Sequence, residues 1–165
     1  MDPILDKARA GQNFLEKIMN AIPGFKGYRE KELRRDADRL QREHLAQRLD
    51  ANKRALNEAA NAATRSGSLD VINDIETARK RLDKVANRIR YADRGYGGFF
   101  DTVKVDEAML ERVYQFDLRL LEGVETVAAA AANASDADGM KALVAHIDAL
   151  DAQMADREAI LSGVK

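Results

Sequence analysis

The sequence predicts an all-α fold: an antiparallel up-down helical bundle of four long helices. An additional shorter N-terminal helix is expected to pack on the long second one. Three observations lead there. Apolar residues recur every three or four positions along most of the chain. Only two prolines and ten glycines occur in 165 residues, and the abundant residues are good helix formers. Nowhere does the alternation of a half-buried strand develop. The length suits one domain over residues 1–165, able to bury roughly two-thirds of the surface exposed on unfolding.

A first helix is expected over about 3–21, where Ile4, Leu5, Ala8, Leu15, Ile18 and Met19 share a face. Pro3 suits its first turn, where a missing N–H costs nothing. Ile22 precedes Pro23 and is pushed out of helical geometry, which ends the segment.

The second helix is expected over about 29–65. An early stripe of Leu33, Ala37, Leu40 and His44 gives way to Leu45, Leu49, Asn52, Leu56, Ala59 and Ala63. Such a change of phase resembles a coiled-coil stutter or a change of partner. At ~1.5 Å per residue this helix would be about 55 Å long, and the first helix is expected to cover the excess.

Ser66-Gly67-Ser68 closes it. Gly67 suits a left-handed C-cap, and Ser68 is placed to cap the third helix, with Asp70 in its first turn. That helix, about 69–92, carries the cleanest heptad: Val71, Ile75, Ala78, Leu82, Val85, Ile89 and Ala92. A fourth, about 105–132, presents Met109, Val113, Phe116, Leu120, Val124, Val127 and Ala131. The fifth, about 138–161, presents Met140, Leu143, Ile147, Leu150, Met154 and Leu161. Between them, Ser135 followed by Asp138 reads as a variant capping box. Short connections make successive helices antiparallel neighbours.

Catalytic and metal chemistry find little footing. Without cysteine there is no disulfide, thiolate site or cysteine nucleophile. The two histidines, His44 and His146, are not spaced for a di-iron carboxylate bundle or a zinc hydrolase. Both read as semi-buried packing residues. Glu122 with Glu125, and Asp148 with Asp151, lie three apart and read as solvated faces. The chain is therefore expected to be non-enzymatic, with no catalytic residues, no metal and no cofactor.

Net charge is −1 but divided, with +6 over residues 1–104 and −7 over 105–165. Basic helices packed beside acidic ones are the preferred explanation. The alternative is a polyanion face, in which nucleic acid meets Arg79, Lys80, Lys84, Arg88 and Arg90. Arg-Asp and Arg-Glu pairs within the second helix, such as Glu30 with Arg34 and Asp38 with Arg42, argue against a free basic surface there. A second alternative is peripheral membrane attachment through the first helix. Charges run through the first twenty residues, so no secretory signal is expected, nor any stretch of ~20 apolar residues; a cytoplasmic location follows.

The segments 22–28 (IPGFKGY) and 91–101 (YADRGYGGFFD) are rich in glycine and aromatics. In an up-down bundle they fall at one pole. They would close the bundle end, offer a docking surface, or do both. The preferred function is an interaction or scaffold module, contacting another protein or a second copy through Phe25, Tyr28, Arg94, Tyr96, Phe99 and Phe100.

Overall fold

A computed structural model describes residues 34–92 and 107–161, and these are helical throughout apart from short turns. The helices are α1 (Arg34–Asp50), α2 (Lys53–Ser66), α3 (Leu69–Arg90), α4 (Glu107–Asn133) and α5 (Ala137–Leu161). No strand occurs among the described residues, and no described helix is long and apolar enough to cross a membrane. The expected first helix, all of the 22–28 segment, residues 93–101 of the other, and the side chains of Leu33, Ala37 and Leu40 lie outside the described residues.

The heptads form the core. Along α3, Ile75, Ala78, Leu82, Val85 and Ile89 are all buried. Leu120, Val124, Val127 and Ala131 of α4 meet Met140, Leu143, Ile147, Leu150 and Met154 of α5 in the same cluster. From the preceding chain come Leu45, Leu49, Leu56 and Ala63.

The single helix expected over 29–65 is interrupted at Ala51–Asn52, which separates α1 from α2. Asn52 is responsible. Its backbone N–H donates to Leu49 O at 3.0 Å, three residues back rather than four. Its side-chain Nδ2 donates instead to Arg48 O at 3.2 Å, the carbonyl that a regular helix would have given to its backbone. The phase change in the apolar stripes, between His44 and Leu45, lies inside α1, and the later stripe passes through this break in register.

At the next boundary Gly67 takes φ 73° and ψ 17°, the expected left-handed cap, and ties back to Ala63 O and Thr64 O. Ser68 does not cap α3 with its side chain; its hydroxyl shares a hydrogen bond with that of Ser66. The capping residue of α5 is Asp136 rather than Ser135, its Oδ1 accepting from Gly139 N at 2.7 Å.

Paired side chains give the order of packing. Asp50 meets Arg90, Lys53 meets Asp83 and Asn57 meets Arg79, in opposite numerical order along the two segments. Asp117 pairs with Arg157, while Gly123 lies against Leu150 and Gln153. Between α3 and α5 the order is the same on both: Arg81 with Asp148, Lys84 with Asp151, Arg88 with Glu158. Gly123 brings α4 close to α5, for a Cβ there would stand 2.9 Å from Leu150 Cδ1.

Gly67→Ala should lower stability by about 1–2 kcal/mol, the cost of a left-handed residue with a Cβ. Nothing lies within 4 Å of that Cβ position, so backbone strain alone is measured. A loss well under 0.5 kcal/mol in urea unfolding would refute the assigned cap geometry.

Candidate functional site

α3 is the basic helix against which the acidic α5 packs. Its cations Arg81, Lys84 and Arg88 point at α5. Arg88 chelates Glu158 with Nε at 2.9 Å and Nη2 at 2.7 Å, and reaches Asp151 Oδ1 with Nη1 at 2.7 Å. Lys84 donates to Asp151 Oδ2 at 3.0 Å, and Arg81 pairs with Asp148. On the other side, Arg90 pairs with Asp50, and Arg79 donates to Glu76 at 2.8 Å and Asn57 at 2.6 Å. Four of the five residues assigned to a polyanion face are thus paired with side chains of the same chain, Lys84 while remaining exposed. The fifth, Lys80, is exposed.

The acid pairs are not merely solvated, as the spacing suggested. Asp148 and Asp151 serve the α3 seam, and Glu125 holds Arg48 of α1 in a two-point contact at 2.9 and 3.1 Å. Arg48 is the main reason Glu125 lies below the ordinary glutamate value, with His44 adding a smaller pull. Burial pushes Asp151 and Asp50 upward, but Arg88 and Lys84 on the first, and Arg90 and Lys53 on the second, outweigh it. Both carboxyls end below the ordinary value of 3.8.

Charged side chains also enter the interior. Arg157 Nε donates to Asp117 Oδ1 at 2.8 Å, with both side chains at least nine-tenths buried (4% and 7% exposed). Arg42, also buried, donates through Nη1 to Arg90 O at 3.0 Å and to Ile89 O at 3.5 Å. It supplies a cation and donors to the C-terminal carbonyls of α3, where both are favourable. Neither role was expected from the sequence, although the signal was there. Arg157 extends the 140–143–147–150–154 series by three, Asp117 precedes Leu120 by three, and Arg42 precedes Leu45 by three. These are heptad positions occupied by charge.

α3 ends at this clamp. Tyr91 follows with 51% exposure, its N–H donating to Asn87 O at 3.0 Å. It opens the 91–101 segment. The candidate docking residues Phe25, Tyr28, Arg94, Tyr96, Phe99 and Phe100 lie outside the described residues.

Of the histidines, His44 is half-buried as expected, whereas His146 is exposed. It rims a shallow groove of about 230 Å³ between α4 and α5, together with Arg119, Glu122, Gly123, Leu150 and Gln153. Gln153 Oε1 is buried there without a hydrogen-bond partner. Among the described residues, no group of three or more acidic or histidine side chains is placed to hold a metal. Comparison with known protein families, curated proteins and solved structures returns no match.

Asp117→Ala should cost about 3–5 kcal/mol in chemical unfolding by removing the buried carboxylate with which Arg157 pairs. Replacing both, as in Asp117→Leu with Arg157→Met, should restore most of that loss. A single-variant cost under about 1 kcal/mol would show that the pair is solvated.

The pH response follows from the depressed carboxyls. Groups held below their unfolded values give their full contribution above about pH 4.5 and lose it as pH falls through the folded values. The melting temperature should therefore drop steeply below about pH 4.5, and less steeply in Asp151→Asn. Identical acid limbs for variant and parent would remove Asp151 from the explanation.

Proposed function

We propose that the chain is a non-enzymatic interaction or scaffold module, built as an antiparallel up-down bundle. Its contact surface is the pole where the two glycine–aromatic segments meet. The opposite numerical order of the 50–90, 53–83 and 57–79 pairs, and of the 117–157 pair, supports the topology. So does the parallel order between α3 and α5, which are separated by one intervening helix.

The observation that carries the functional reading is Tyr91. A half-exposed aromatic stands on a helix end that Arg42 and the Arg90–Asp50 pair hold in place. Fixed aromatics with neighbouring arginines lose little entropy on contact and are enriched at binding hot spots. The partner is another protein or a second copy of this chain, and the reading includes a cytoplasmic location and no cofactor.

A polyanion face on α3 is the weaker alternative. A phosphate would have to displace Asp151 and Glu158 from Arg88, and Asp50 from Arg90. Membrane attachment through the N-terminal segment draws no support from the described helices.

Tyr91→Ala with Tyr96→Ala should keep the melting temperature within about 2 °C, as surface changes do in a chain of this size. The double variant should lose self-association in sedimentation, or lose the cross-links formed by a photoreactive residue at position 94. Unchanged association and cross-link yield in a folded variant would overturn the docking role.

A further inference from the structure

We propose that α2 is a flap that undocks from α3 as one unit, while α1, α3, α4 and α5 stay packed. It does not rest on the interaction reading.

α2 is bounded by a break at each end. On one side Asn52 satisfies its own amide on Arg48 O, inside α1, so that bond survives whatever α2 does. On the other, Gly67 in the left-handed region makes an abrupt turn into α3. Between these pivots the anchoring is thin. α2 buries only Leu56 and Ala63, with Ala59 and Ala60 partly covered, whereas α3 buries Ile75, Ala78, Leu82, Val85, Ala86 and Ile89.

The polar contacts tell the same story. Lys53–Asp83 and Asn57–Arg79 cross to α3. Lys53 also pairs with Asp50 of α1, at the pivot itself, whereas Arg54 to Glu58, Thr64 to Ala60 O and Arg65 to Asn61 O are internal and would travel with α2. Its outer face, including Glu58, Asn61 and Arg65, is already exposed. Few buried apolar side chains and exposed hydrogen bonds define a unit that opens below the global unfolding free energy.

Opening would uncover Leu56 and Ala63 together with the first half of α3. There Leu69 is already 69% exposed and Val71 and Ile72 are half-buried, so the flap gates one continuous apolar face.

Native-state hydrogen exchange on the whole chain, comparing it with Ile89→Val, tests this. Ile89 is fully buried near the far end of α3, and the mild truncation keeps the fold. In the parent, amides of 53–66 should be protected about tenfold less, or lower still, than those of 75–89. Ile89→Val should lower protection across 75–89 by about two- to tenfold, since those amides exchange through openings that expose Ile89. It should leave 53–66 unchanged, because the flap opens without exposing it. Equal protection of the two segments in the parent, or an equal fall in both in the variant, would overturn the proposal.

Discussion

Everything in this fold depends on one seam, the set of positions that a 4-3 spacing brings to the bundle axis. Most are Leu, Ile, Val, Met or Ala, and their burial supplies the driving force. The seam is not uniformly apolar, however. Arg42, Asn52, Asp117 and Arg157 occupy heptad positions and are buried. Three of them fall at the level of the last turn of α3, since Arg42 reaches Arg90 O, Arg88 reaches Glu158, and Asp117 reaches Arg157. A buried ion pair adds little net stability, because desolvation of both ions cancels much of their attraction. It does penalise misalignment. Shifting α5 by one heptad against α4 would set Arg157 opposite an apolar position and leave Asp117 without its cation. The apolar seam thus stabilises helix packing of many registers, and its charged members select among them.

The surface repeats this division of labour. Exposed ion pairs contribute on the order of 0–1 kcal/mol each, so Arg81–Asp148 or Lys84–Asp151 does not hold α5 in place. The five buried side chains from Met140 to Met154 do. What the ladder contributes is identity. In the described contacts α3 supplies the cations and α5 the carboxylates, so the acidic helix has a preferred berth on the basic one. The same fact accounts for the divided charge of the chain. A stretch that looks like a nucleic-acid surface when read alone is the complement of another stretch of the same sequence.

How far the sequence disclosed this depended on whether a residue acts through its local pattern or through a distant partner. The helices expected over 69–92, 105–132 and 138–161 were legible to within a residue or two at the bounds that fall among the described residues, Leu69, Arg90, Asn133 and Ala137, because periodicity and capping are local. Gly67 was legible for the same reason. Asn52 was misread as a seam residue of a continuous helix: its pattern position is right, but its amide competes with the backbone for Arg48 O, and periodicity does not register that contest. Ser135 and Asp136 both suit an N-cap, and one residue of phase decided between them. Asp148, Asp151 and Glu125 were read as solvated because their cations lie more than sixty positions away. Arg42 was read only as a surface partner of Asp38, and Arg157 was passed over, because charge was taken to mean exposure. At a heptad position the spacing outranks the charge.

The break at Asn52 ties these strands together. Had position 52 been leucine, the series Leu45, Leu49, Leu56 would continue unbroken, and α1 and α2 would form one rod supported along its length by the seam. With asparagine there, the rod is divided where its support changes. α1 packs on both α3 and α4, using Leu45, Ala46 and Leu49 in the core and Arg48 to hold Glu125. α2 leans mainly on α3 and offers alanines where α1 offers leucines. A rigid rod would transmit any displacement of its weak half to its strong half. A break absorbs it, because the hydrogen bonds on the α1 side close on Leu49 O and Arg48 O without help from α2. The polar residue that looks least suited to the seam is therefore the one that lets the well-anchored and thinly anchored parts of the fold respond separately.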